Sequence, residues 1–425
     1  MKTELYKYKV TPGIIKVGGK TSVKISALEP QLVFEEDKKY KLEVWCMTKV
    51  TYGDFASKNN VFLLSPINGE LVFDFEFDTE AEYQIRVYKE GSRDKLFVLS
   101  VYAVMEDLFE LRPLKGDFHV HSCRSDGKEH PAVVAANYRK AGFDFVPLTD
   151  HLRYSPSIEA QDAYKDLELG MLIINGEEVH SPENYVHVVN FGSESSVNSL
   201  FEDDTDPYYE EVEEIIKTRD IPYEDKFVYA ANLWVVEKIK ERGGLAIFCH
   251  PHWISDTYNV PDGLTRAFLK EGFFDAFELI GGNGAHENNM QTAFYYQLRG
   301  EGINPPITGA SDSHGTINKG LFNKMFTIVF AKEKTKESIM QAVKDYQTVA
   351  VEVYEDSVNY TVHGSYRLVS YARYLLEYYF PLTQKIAEEE GILMRNYLFG
   401  DEESGARLAK LKNKTDDFYK EFSGK

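Results

Sequence analysis

The chain has 425 residues, room for about two or three domains, and with 43% hydrophobic residues it can bury a sizeable core. A formal net charge of -20 argues against extended nucleic-acid binding, which needs a basic surface, but leaves room for a small anionic or ester substrate held through bound cations. No apolar run approaches the ~18 residues of a membrane span and no apolar leader opens the chain. The cysteines (Cys46, Cys123 and Cys249) are too sparse for a disulfide framework, so a reducing cytoplasm is the default compartment and no membrane partner is expected.

Residues 1–112 alternate with period two in short runs such as Tyr40-Lys41-Leu42-Glu43-Val44-Trp45 and Leu71-Val72-Phe73-Asp74-Phe75. Turn residues such as Asn68-Gly69 separate these runs, which predicts an all-β, sandwich-like accessory domain. From 113 to 332 the pattern becomes α/β. Apolar strands are expected at 117–120, 143–148, 171–174, 185–189, 245–248, 276–280 and 306–309, with helices near 130–141, 230–242, 262–271 and 287–300. Near-continuous apolar strands alternating with helices predict a parallel α/β barrel. The acidic stretch 194–228, broken by Pro207 and Pro222, reads as an insertion or lid. Residues 333–425 read as a mostly helical extension. Helices are expected near 335–346 and 366–392, a strand over 348–354, and the charged end is expected to fray.

The chemistry-bearing residues fall at the C-terminal ends of the predicted strands, the active-site face of such a barrel. In order they are His119-Val120-His121 with Ser125-Asp126-Gly127, Thr149-Asp150-His151, Gly176-Glu177-Glu178-Val179-His180, His187, Cys249-His250-Pro251-His252 and Ser311-Asp312-Ser313-His314. Positions i and i+2 on a strand face the same way, so His119 with His121, and Asp312 with His314, can each turn toward one ion. Imidazole mixed with carboxylate suits zinc, manganese or iron. Such a cluster would be costly in an apolar barrel mouth without cations to neutralise it. Cys123 and Cys249 are read as packing residues, and His130, His286 and His363 fall outside the set.

These motifs, in this order, resemble the PHP family, the polymerase-and-histidinol-phosphatase metallohydrolases. The resemblance covers residues 115–320 and implies a distorted TIM-like (β/α) barrel of about seven strands. It also implies about two to three divalent cations sharing a hydroxide nucleophile. His119, His121, Glu178 and Asp312 would hold the first ion, and Asp126, His151 and His314 the second. Glu178 would bridge to a third ion held by His187 and His250. Glu177 competes with Glu178, and His180 with His187.

Asp312 is the candidate to orient the nucleophile or accept its proton, and His252 the candidate general acid. Arg124 and Arg153 could clamp an anion. Trp253 and Tyr154 could stack on a ring, and Asn283 and Asn288 could line the substrate side. The expected activity is hydrolysis of a small phosphate mono- or diester. A carboxylic ester or carbamate hydrolase, as in the carbaryl-hydrolase-like subgroup, is the alternative, and a metal-stabilised binding module the third reading.

Overall fold

The computed structural model describes residues 3–49, 60–317, 320–354 and 359–425. Two compact units emerge. One joins Met1–Arg112 with Tyr366–Lys385 and Asn413–Lys425, and the other joins Pro113–Ser365 with Ile386–Lys412.

In the first unit, β1 (Tyr8–Thr11), β2 (Ile14–Lys16), β3 (Lys20–Ala27), β4 (Tyr40–Cys46), β5 (Val61–Leu64), β6 (Leu71–Glu76), β7 (Ala81–Lys89) and β8 (Lys95–Val104) form two sheets. Their orders are β1-β3-β6 and β2-β8-β7-β4-β5. The period-two alternation does what it predicts. Tyr40, Leu42, Val44 and Cys46 of β4 and Ala81, Tyr83, Ile85 and Val87 of β7 turn inward onto one core shared with Val23, Ile25, Leu71 and Phe73 of the other sheet.

In the second unit, β9 (Arg112–Gly116), β10 (Phe145–Pro147) and β11 (Leu172–Ile174) follow the short α1 (Glu106–Phe109) and alternate with α2 (Pro131–Lys140) and α3 (Ser155–Ala163). Then come β12 (Gly176–Val179), β13 (Val188–Phe191), α4 (Asp206–Thr218), α5 (Lys226–Glu241), β14 (Leu245–Phe248), α6 (Asp262–Glu271), β15 (Ala276–Ile280), α7 (Ala285–Gly300) and β16 (Ile307–Gly309). β17 (Met325–Ala331), α8 (Lys336–Lys344), β18 (Thr348–Val353) and β19 (Tyr360–His363) complete its strands. The sheets have the orders β11-β10-β9-β17-β18-β19 and β12-β13-β14-β15-β16. One core draws Leu114, Phe145 and Ile174 from the first sheet, Phe118 from the loop after β9, and Val189, Phe191, Leu245, Ile247 and Ala276 from the second. Bridges between Val120 and Ser313 and between His151 and Glu178 link the strand ends.

The expectation of an all-parallel barrel is corrected. β9 to β11 and β14 to β16 pair in parallel, but β13 runs antiparallel to both β12 and β14, and β17 to β19 are antiparallel. The reason is chain length. Residues 180–187 between β12 and β13 are too few for the crossover of a dozen or more residues that a parallel pair needs. The stretch 194–228 is also more than a loose lid. Its helix α4 buries Tyr208, Val212 and Ile215 in a cluster with Trp234 and Val235 of α5, and Trp234 Nε1 donates to Glu211 at 2.8 Å.

The segment read as one C-terminal extension is divided. Helices α9 (Tyr366–Tyr378), α10 (Phe380–Leu398), α11 (Glu402–Leu411) and α12 (Lys414–Ser423) are shared out between the two units. α11 and α12 also occupy the charged end that was expected to fray. Their buried faces explain this: Ser404, Leu408 and Leu411 on α11, and Tyr419 and Phe422 on α12.

β9 carries a buried lysine. Lys115 Nζ donates to Asn323 Oδ1 at 2.7 Å and Ala141 O at 3.1 Å and lies over the rings of Phe143 and Phe326. Burial pushes its pKa down to about 7 from 10.5. Between those values the unfolded chain binds more protons than the folded one, so this residue's destabilising effect is full below pH 7 and fades as pH rises. The Tm of Lys115→Met minus that of the wild type is therefore expected to fall by several degrees between pH 6.5 and 9.5 in thermal melts.

Candidate metal centre

The loop after β9 carries His119 and His121 to the strand ends, and the network around it is dense. Asp117 Oδ1 accepts from the backbone N–H groups of His119 (3.2 Å) and Ser311 (3.0 Å), tying the first and last motif strands together. Tyr138 donates to Asp117 Oδ2 at 3.0 Å, and burial raises the Asp117 pKa to about 6. Asp150 Oδ1 accepts from the N–H groups of Ser122 (2.9 Å) and Ser125 (3.0 Å). At Gly127 a Cβ would lie 2.7 Å from the His121 and Ser122 carbonyl oxygens, so only glycine lets this loop close and present Asp126. His250 and Asp312 sit at φ 28° and 47°, left-handed conformations that non-glycine residues rarely adopt and that cluster at functional sites.

The first group is His119, His121, Glu178 and Asp312. His119 Nε2 lies 3.3 Å from Glu178 Oε2 and 3.5 Å from Asp312 Oδ1. His121 Nε2 lies 3.5 Å from Glu178 Oε2 and 2.9 Å from Asp312 Oδ1. All four atoms are buried, and none is aligned for a hydrogen bond. Bonds of ~2.0–2.2 Å in a tetrahedral site place neighbouring donors roughly 3.3–3.6 Å apart, close to the spacing here. Four orphaned buried donors around one point are costly without a partner, so this donor set fits a divalent cation.

The second group gathers His121, Asp126, His151 and His314. Asp126 Oδ2 lies 3.1 Å from His314 Nε2 and 3.5 Å from His151 Nε2. Asp126 and His314 are solvent-accessible, so this side of the centre is open, whereas the first group is closed over. In the third group, Glu178 Oε1 lies 2.8 Å from His187 Nδ1 and 3.2 Å from His250 Nε2.

Burial alone would raise the Glu178 carboxyl, but the facing His119, His151 and His180 hold it well below the usual range. Asp312 is likewise held low by His119 and His121 against its own burial. Burial pushes His187 down to about 4, leaving a neutral ring with a free lone pair. The ionised carboxylates and the neutral His187 ring match what ligation requires, while the facing carboxylates raise His119, His151 and His250 against their burial, protons that a bound cation would displace.

The two open alternatives resolve differently. Glu177 turns away to accept from Asn190, Asn198, Ser196 and the Val197 N–H. His180 does not exclude His187. Its ring stacks on His187 with centroids 3.7 Å apart, and its Nε2 lies 3.0 Å from His151 Nδ1.

The expected substrate-side residues are placed as follows. Arg124 makes a two-point contact with Glu159 (2.7 and 2.5 Å), and Arg153 faces Glu202 at 3.8 Å. His252 is not brought to the histidine cluster. It is buried against Tyr258 and Phe294, with Asp262 3.3 Å away. Tyr154 spends its hydroxyl on Ser193 O (2.6 Å) and Asn175 (2.8 Å). Asn288 is buried and bonded to Gly281, whereas the Asn283 amide is buried without a partner. Trp253 lies at the mouth, its ring 6.2 Å from that of His250. Buried Cys249 donates to His187 O at 3.2 Å, while Cys123 is exposed.

Glu278 was missed. It sits mid-strand in β15, and its Oε2 lies 3.1 Å from His119 Nδ1, which fixes the ring with Nε2 inward. The available signal was a lone carboxylate in the apolar run Ala276-Phe277-Glu278-Leu279-Ile280. Glu278→Gln is expected to weaken zinc affinity by ~10–100-fold in chelator competition while the fold persists.

No family model matches the chain, and no curated protein matches it. Solved structures similar to it include a two-domain Bacteroides vulgatus protein described as containing a predicted PHP-like metal-dependent phosphoesterase. That one is 20% identical and spans 60% of this chain and 76% of its own, with a TM-score of 0.41. A candidate metal-dependent phosphoesterase from Bifidobacterium adolescentis is 18% identical over 49% of this chain and 91% of its own, with a TM-score of 0.35. An amidohydrolase from Chromobacterium violaceum, with sulfate and no metal bound, is 18% identical over 47% and 87%, with a TM-score of 0.30. Likeness this distant assigns neither family nor substrate. No helix among the described residues is long and apolar enough to cross a membrane.

Proposed function

We propose that this protein is a metal-dependent hydrolase of the PHP type, a phosphoesterase that cleaves a small phosphate mono- or diester. One observation carries the reading: ring nitrogens from His119 and His121 converge, unbonded and buried, with carboxylate oxygens of Glu178 and Asp312. His119, His121, Glu178 and Asp312 would hold one cation, Asp126, His151 and His314 a second, and His187 and His250 with Glu178 a third. Cations held there supply Lewis acidity, activating water near neutral pH and neutralising phosphoryl oxygens.

The chain's own residues do the rest. Glu178 and Asp312 stay ionised inside the site and set the positions of the facing imidazoles. Asp312, beside His314, is assigned to orient the attacking water. The dense apolar core beneath the closed group excludes bulk water from it. In the net reaction one water is consumed. Its oxygen joins phosphorus, the ester P–O bond breaks, and the leaving oxygen departs as an alcohol carrying one of the water's protons.

The test is elemental analysis of purified protein followed by a screen of aryl phosphate monoesters, phosphate diesters, and aryl esters and carbamates. We expect more than one equivalent of zinc, manganese or iron and chelator-sensitive turnover of a phosphate ester. Turnover confined to carboxylic esters or carbamates would move the assignment to that bond. Full metal occupancy without turnover of any class would reject a hydrolase.

A further inference from the structure

His180 belongs to none of the three donor groups, yet its ring ends among them. Glu178 and His180 are two residues apart where β12 ends, so their side chains project to the same side. A parallel bridge pairs His151 with Glu178 and brings the His151 ring alongside. Buried Asn198 fixes the backbone on both sides of Val179. Its Oδ1 accepts from the His180 N–H at 3.3 Å, and its Nδ2 donates to Glu178 O at 3.1 Å. The His187 ring, stacked on that of His180, holds it from the other side.

Three donor atoms meet there. His151 Nδ1 lies 2.7 Å from Glu178 Oε2 and 3.0 Å from His180 Nε2, and His180 Nε2 lies 3.6 Å from Glu178 Oε2. The triangle is slightly tighter than the ~3.3–3.6 Å between donors around one tetrahedral ion. Despite this closeness Glu178 Oε2 is buried and aligned for a hydrogen bond with neither ring. The two ring nitrogens can satisfy each other with one proton, which leaves the oxygen between them unserved. Two of the three atoms are also untouched by the other groups. The second group meets His151 through Nε2, 3.5 Å from Asp126 Oδ2, and the third meets Glu178 through Oε1. Glu178 Oε2 is shared with the first group.

We propose that His151 Nδ1, Glu178 Oε2 and His180 Nε2 hold a further divalent cation whose fourth corner is open to solvent. This goes beyond the hydrolase reading above and rests on its metal centre. Two imidazoles and a carboxylate are a donor set of catalytic zinc sites, which keep one corner for water or substrate. The side chains of His151 and His180 are 27% and 24% exposed, whereas those of His119 and His121 are fully buried. The corner is therefore reachable here and closed over in the first group. With a cation on each nitrogen the His151 ring gives up its N–H proton to solvent, and it then joins this position to the second group.

The test is zinc-edge anomalous diffraction from crystals of the full-length protein equilibrated with zinc, together with zinc content by elemental analysis. We expect an anomalous peak ~2.0–2.2 Å from His180 Nε2, in addition to peaks at the other groups. His180→Phe keeps a ring against His187 but removes the donor. It should lose that peak and about one equivalent of zinc, while the peak among His119, His121 and Asp312 stays. The wild-type map carries the test if the variant does not fold. No peak at His180 in the wild type, or an unchanged zinc content in His180→Phe, overturns the proposal and leaves His180 as a hydrogen-bond partner of His151. The two readings fail separately. Zinc at the other groups but not at His180 defeats this one alone, and zinc at His180 without turnover of any ester defeats the hydrolase. No zinc at any group overturns both.

Discussion

Glu178→Ala is expected to leave the protein folded but unable to hold its metal. Its two oxygens face ring nitrogens of His119, His121, His151, His187 and His250, all within 3.5 Å. A residue that merely orients a ligand typically contributes ~10–100-fold to metal affinity. A carboxylate shared by the first and third groups should exceed that, so the loss of zinc affinity is expected to be more than ~100-fold, with turnover falling at least in proportion. Elemental analysis after dialysis, circular dichroism and the phosphate-ester assay read these effects together. Retention of full metal and turnover would show that the first and third groups do not depend on this carboxylate. Glu177→Ala is the matched control. It removes a neighbouring buried carboxylate bonded to Asn190 of β13 and to the loop around Asn198, so its effect should fall on stability rather than on metal content.

The second large effect is on stability. Arg139 on α2 is fully buried, with Nε donating to Glu390 Oε2 of α10 at 2.8 Å and Nη1 donating to Phe143 O at 3.0 Å. Glu390 also accepts from the Gly170 N–H. Breaking a buried pair by removing one partner leaves an uncompensated charge and costs about 3–5 kcal/mol. Arg139→Met and Glu390→Leu should each lose that much in urea unfolding. The double variant should lose clearly less than the sum of the two, because neither charge is then left buried alone. Additive losses in the double variant would mean that the packing of the two side chains, rather than their charges, fastens α10 to α2.

The sequence made much of the centre legible because strand-end position and residue type carry most of the information. His119, His121, Asp126, His151, Glu178, His187, His250, Asp312 and His314 fall within reach of one another, as i, i+2 spacing and barrel polarity suggested. What stayed hidden was relational. The role of Glu278 depends on which His119 nitrogen faces inward, which spacing does not encode. The displacement of His252 follows from Tyr258, Phe294 and Asp262, which lie on a later turn and two helices. The antiparallel β13 was obscured because its apolar run, Val186-His187-Val188-Val189, reads the same in either direction. α4 was obscured by Pro207, which was read as a breaker but sits in the first turn of the helix, where proline is tolerated.

The division of the C-terminal helices has a consequence for how the chain is made. The first unit needs residues 413–425 as well as residues 1–112, so its amino-terminal sheets leave the ribosome long before α12 can cover its share of their core. At ~5–20 residues per second the delay is roughly 15–60 s. The second unit is completed at Lys412, about 13 residues earlier, so it has all of its segments while the first unit still lacks its last helix. A chain truncated after Lys412, which lacks only α12, should therefore show a protease-sensitive first unit and a resistant second one.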